Sequence, residues 1–169
     1  MKKTIIFLSL LMVILSSCKK DPLDSIALGT IKAKINGNDV TFNVQAKAKQ
    51  LVVQNGFGVE ITGFKKDPSQ SGTNMDLAIV CPQQFSTGTY TKNLNDNPLV
   101  EMSYFYDFFF GAGDAYSATI HTSNPATITI TEWTTSTIKG TFRGELKGTD
   151  ILGNEMSTTI TNGVFYVRF

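Results

Sequence analysis

This chain of 169 residues holds little of the usual equipment for catalysis. It has one histidine, one tryptophan and two cysteines. His121, alone on a strand-like segment, reads as a surface or satisfied side chain rather than a base. No nucleophile elbow, phosphate loop or paired Cys/His ligand spacing occurs, and no cofactor or metal is expected. Charge is sparse and nearly balanced, with a formal net of +1. That leaves no electrostatic basis for binding nucleic acid. Long apolar runs are confined to the N-terminus. No later segment shows the 3.6-residue period of an amphipathic helix, which leaves strands as the building material.

What is there begins with Met1-Lys2-Lys3, a short positive start. Thr4 to Leu15 is apolar for about a dozen residues, whereas a spanning helix needs roughly 20. Leu15-Ser16-Ser17-Cys18 then supplies small residues directly before a cysteine. Charged start, short apolar stretch and small-residue cleavage site make an export signal, and the cysteine makes the site a lipobox. The alternative is an ordinary secretory signal followed by a chance cysteine. The division expected is a lipoprotein signal peptide over 1–17, lipidated Cys18 and tether over 18–29, and one all-β domain over 30–169. Acyl chains at Cys18 hold the domain to a membrane, each buried CH₂ contributing about 0.8 kcal/mol. Lys19 is not the aspartate of inner-membrane retention, so the outer membrane is expected. Lys19-Lys20-Asp21 leaves the periplasmic face and the cell surface both open. Export removes Lys2 and Lys3, which turns the net charge from +1 to −1. Cys81 then has no partner in the chain; it reads as a buried small hydrophobe, with an intermolecular link as the alternative.

Past the tether, turn signals separate alternating segments. Thr30 to Ile35 stops at Asn36-Gly37-Asn38-Asp39, a hairpin signature. Val40, Phe42, Val44, Ala46 and Ala48 line one face of a long half-buried strand. Leu51 to Val53, Gly58 to Phe64, Met75 to Val80 and a short piece near Thr89 to Thr91 follow. Val100 to Phe110, Tyr116 to Thr122, Ala126 to Trp133, Thr137 to Lys147, Met156 to Thr161 and Val164 to Phe169 complete the series. Gly111 to Asp114 and Asn162-Gly163 read as turns. About ten short strands predict an antiparallel meander closed as a β-sandwich or small barrel, a calycin-like barrel being the alternative. Alternation at Phe165, Val167 and Phe169 is also seen in outer-membrane barrels. Most candidate strands, however, fall short of the roughly 9–11 residues needed to cross.

Two segments carry the candidate contacts. On Val100 to Phe110, Met102, Tyr104 and Tyr106 share one face, and Ser103, Phe105 and Asp107 share the other. The plain reading is a central strand buried on both sides. The functional reading is an aromatic wall that stacks on a ligand such as a sugar ring, with the Asp107 carboxylate needing a partner. Trp133 follows Thr127, Thr129 and Thr131 in the alternation, which places it on an outer, threonine-lined face suited to a glycan or protein partner. Otherwise it covers the edge of the core. Glu60, Asp76, Asp107, Glu132 and Glu145 could in principle pair as hydrolytic carboxylates, but no spacing selects two of them. Asp150 to Glu155 lacks the donor spacing of a calcium loop and reads as a turn.

Several short motifs follow one another along the chain: Ile35-Asn36-Gly37, Val40-Thr41-Phe42, Gly88-Thr89-Tyr90, Ile128-Thr129-Ile130-Thr131-Glu132, Ile138-Lys139-Gly140-Thr141-Phe142 and Thr161-Asn162-Gly163-Val164-Phe165. In this order behind a lipobox, the chain resembles a family of uncharacterised lipoproteins of the Bacteroidota with a domain of unknown function. The resemblance implies an all-β fold in the cell envelope and brings no catalytic residues with it. The expected function is a non-catalytic, lipid-anchored binding module for a small ligand, glycan or protein partner. Ligand contacts are expected at Tyr104, Tyr106, Asp107 and Trp133. An accessory subunit of an envelope complex is the alternative, and a carboxylate-dependent hydrolase the third possibility.

Overall fold

A computed structural model describes residues 22–169 apart from 54, 55, 71, 85, 96, 110, 111, 120, 121 and 151. The signal segment, Cys18, Lys19-Lys20-Asp21 and His121 therefore lie outside the described residues. The rest is antiparallel sheet, preceded by a 3-10 turn at Pro22–Ser25. The strands are β1 (Thr30–Ile35), β2 (Asn38–Phe42), β3 (Val44–Val53), β4 (Gly56–Phe64), β5 (Asn74–Cys81) and β6 (Gly88–Thr91). β7 (Leu99–Phe109), β8 (Ala112–Ala118), β9 (Thr127–Trp133), β10 (Thr137–Thr149) and β11 (Glu155–Arg168) follow. Their order in the sheet is β2-β1-β11-β10-β8-β7-β5-β4-β3, and β9 pairs with both β10 and β6. All-β architecture and antiparallel meander are as the turn signals predicted.

The sheet curls until it nearly closes into a barrel. β2 and β3, its two edges, are separated only by Asn43. β2 pairs with β1 and β3 pairs with β4, so one bent run of chain joins the edges. Val40, Phe42, Ala46 and Ala48 face the core as predicted, but the single strand is broken at Asn43, and Val44 stands opposite Phe64 in the outward row of β4. Bulges supply the curvature, because an extra residue bends and twists the strand that holds it. Gln45, Asp107 and Asn162 all have positive φ and sit where the register of β3, β7 and β11 slips. Asn162-Gly163 is therefore no turn. It is a bulge inside a 14-residue strand, and it shifts the register on both the β1 and β10 sides. Asparagine tolerates the left-handed conformation better than most residues. Gly163 is needed beside it because a Cβ there would collide with the Phe142 carbonyl.

Side chains fill the interior. Ile31, Phe42, Val59, Ile61, Leu77, Met102, Ile128 and Phe165 are all at most 1% exposed. Along β10 the inward row is Ile138, Gly140, Phe142, Gly144, Leu146 and Gly148. Large and small alternate, as a tapering barrel requires. A Cβ on Gly140 would lie 2.6 Å from the Phe165 ring, so the gap is already occupied by the neighbouring strand. Outward positions carry Lys32, Glu60, Glu101, Lys139 and Arg143 instead. β10 and β11, at 13 and 14 residues, are longer than the sequence pattern predicted, and with β7 at 11 they are long enough to cross a bilayer. Their faces are the reverse of an outer-membrane barrel, which is apolar outside and polar within.

The packed part of the chain begins before Thr30. Ile26 is only 8% exposed, and Gly29 donates its N–H to the Tyr166 carbonyl at 2.8 Å. The segment expected to be a loose tether is, from Pro22 onward, laid against the barrel wall over β10 and β11.

Candidate functional site

β7 lies between β5 and β8, as expected of a central strand, yet only its inner face is buried. Inward-facing Met102 and Tyr104 are 0% and 6% exposed. Glu101, Ser103 and Phe105 on the outer face are half-buried. Farther along the strand, Tyr106 is 47% exposed. A row of tyrosines thus climbs from the core to the rim at one end of the barrel.

The β7–β8 register adds a third ring. Tyr104 stands opposite Tyr116, and Tyr106 opposite Asp114. Tyr104 and Tyr116 stack with centroids 6.0 Å apart, Tyr104 and Tyr106 are tilted at 6.5 Å, and Phe42 meets Tyr104 edge-on at 6.3 Å. Such offset and edge-on pairs are the favoured aromatic geometries. Gly148 pairs with both Tyr116 and Met156. With no side chain in between, the Tyr116 hydroxyl reaches the Met156 sulfur at 3.7 Å. The same hydroxyl lies 3.5 Å from Asp114 Oδ2. Burial pushes the Tyr104 phenol up to about 12, helped by Tyr106, Tyr116, Asp107 and Asp114. Burial also raises Tyr116, with the Asp114 charge and hydrogen bond adding to it. These phenols stay neutral at physiological pH. They offer ring faces and hydroxyl donors beside carboxylate acceptors.

Asp107 finds its partner in Thr73, which is 2% exposed. The Thr73 hydroxyl donates to Asp107 Oδ1 at 3.2 Å and accepts from the Asp107 N–H at 3.0 Å. Both bonds hold the β7 bulge. The exposed carboxylate stands on the rim rather than between apolar walls.

Trp133 belongs to the other end. Thr131 is an extra residue in β9, so the register slips there and Trp133 comes to face the same way as buried Ile138. The threonine-lined outer position expected for it is overturned by that bulge. Its ring packs on Phe169 at 5.0 Å and against the core. Beside it, Leu51, Val52, Phe57 and Gln84 line a shallow pocket of about 280 Å³. The four predicted contacts therefore divide. Tyr104 and Tyr106 come together, Asp107 borders them, and Trp133 is remote. Tyr116, Asp114 and Met156 were missed, because only strand register shows that they face the same space.

Glu60 and Asp76 lie side by side on β4 and β5 rather than across a cleft. Thr62 and Asn74 donate to Asp76, whose carboxyl is nonetheless raised, by burial first and then by the Glu60 charge. Asp150 accepts from the N–H groups of Leu152 and Asn154 and from the Asn154 amide at 2.8–2.9 Å, closing a turn. Among the described residues, no group of three or more His, Cys, Asp or Glu could hold a metal ion. Cys81 is a half-buried free thiol packed against the core, and burial raises it. No family model, curated protein or solved structure matches the chain.

Proposed function

We propose that the protein is a lipid-anchored binding barrel of the bacterial envelope, and that its tyrosine end takes a small polyhydroxylated ligand such as a glycan unit. The lipobox at Cys18 supports the anchor. The order of motifs shared with the Bacteroidota lipoproteins supports the location, in the outer membrane on either its periplasmic or its outer side. One observation carries the binding role: Tyr104, Tyr106 and Tyr116 converge at one end, graded from buried to exposed, with Asp114 and Asp107 beside them. Ring faces stack on the C–H face of a sugar, while phenols and carboxylates meet its hydroxyls.

The test is a titration of the soluble Cys18→Ser protein with a panel of neutral oligosaccharides, followed by calorimetry. Saturable heat that Tyr106→Ala removes supports the reading, and a silent panel contradicts it. An accessory-subunit role is the second reading. Val52 and Phe57, 101% and 49% exposed, support it as an apolar tip where β3 meets β4.

A further inference from the structure

Charge is divided between two sides of the barrel wall. The outward positions of β4, β5 and β7 hold Glu60, Asp76, Glu101 and Asp107. Of the nearby cations, Lys92 is committed to Glu101 at 2.8 Å and Lys49 stands opposite Glu60 across β3 and β4. The outward positions of β1, β11 and β10 hold Lys32, Arg168, Lys139 and Arg143. Of the carboxylates on that side, Asp39 pairs with Lys34 at 3.1 Å and Glu145 with Lys147 at 2.8 Å, Glu132 stands opposite Lys139, and Glu155 sits at the start of β11. A groove of about 460 Å³ opens beside the β11 bulge, where Arg143 joins the hydroxyls of Thr127, Thr129 and Thr141 and the side chain of Asn162. That combination suits a phosphodiester headgroup.

The N-terminal segment arrives on this basic side. The Pro22–Ser25 turn packs on β10 and β11. Ile26 shares a second groove, of about 370 Å³, with Lys32 and Val164. Four chain steps separate Cys18 from Pro22, so their reach is at most about 14 Å by any path. A lipid on Cys18 therefore keeps this side within one to two Debye lengths of the bilayer, where basic residues feel an anionic surface.

We propose that the anchored protein lies on this side: the outer face of β1, β11 and β10 rests on anionic phospholipid headgroups, and the acidic β4–β5–β7 face turns away. This orientation rests on the acylation of Cys18. It leaves the tyrosine end at the flank of the particle, open to soluble ligand.

Lysine footprinting tests it. Acylated protein in phosphatidylcholine–phosphatidylglycerol vesicles is compared with Cys18→Ser protein in solution. Several-fold protection of Lys32 and Lys139, with Lys65 and Lys66 unchanged, supports the orientation. Lys32→Glu with Arg143→Glu should then erase the protection of Lys139 while the protein still floats with vesicles. Uniform reactivity on floating vesicles overturns the orientation and leaves the anchor standing. A chain that is neither acylated nor drawn to these vesicles overturns both. Cys18→Ser protein that prefers phosphatidylglycerol vesicles over pure phosphatidylcholine supports the face independently of the anchor. Protection by a soluble polyuronate but not by vesicles assigns the face to an acidic glycan and overturns the proposal.

Discussion

The two ends of this barrel use aromatic side chains in opposite ways. At one, Trp133 and Phe169 pack on each other and on the core. At the other, Tyr104 is buried, Tyr116 is half-buried and Tyr106 is 47% exposed. The first end uses its rings as a plug. The second leaves a ring on the rim, with hydroxyls and carboxylates around it that a plug does not need. Aromatic content alone does not mark a binding site; the polar company and the exposure gradient do.

The largest expected contrast is in stability. Trp133→Ala removes the plug and should lower the unfolding free energy by about 3 kcal/mol in urea titrations, leaving any ligand affinity unchanged. Tyr106→Ala should do the reverse. It should weaken binding by about tenfold or more while stability moves by less than about 1 kcal/mol. If Tyr106→Ala unfolds the protein and Trp133→Ala abolishes binding, the roles of the two ends are exchanged. Tyr116→Phe keeps the stacked ring and loses the hydroxyl that reaches Asp114 and Met156. Its expected cost is about 0.5–1.5 kcal/mol, measured by thermal melting.

A last effect, confined to strongly alkaline pH, is on stability. The fold retains the Tyr104 proton to about 12, while the unfolded chain releases it near 10. Over that window the folded state binds more protons, so stability falls as pH rises from about 10 and levels off above about 12. The slope attributable to this group should vanish in Tyr104→Phe, read from urea midpoints across that range.

Much of the fold was legible because burial on one face enforces a period of two. Phe42, Ala46 and Ala48 face the core as predicted, as do Ile128 and Ile130. The bulges were not legible. An added residue at Gln45, Asp107, Thr131 or Asn162 leaves no mark in composition, yet it reverses which residues face inward beyond it. For that reason Trp133 covers the core edge, the other reading of its segment, rather than the threonine-lined face, and Asn162-Gly163 was read as a turn because Asn-Gly most often makes one. The same holds at the site. Tyr104 and Tyr106 stand out in their own strand. Tyr116 and Met156 join them only through the register of β8, β10 and β11, which is a property of pairing and not of any one segment.

The most direct measurement is side-chain NMR of the Cys18→Ser protein during titration with neutral oligosaccharides. The account predicts that the ring resonances of Tyr106 and Tyr116 shift saturably while the Trp133 indole stays in place. An indole that shifts while the tyrosine rings remain still would contradict it.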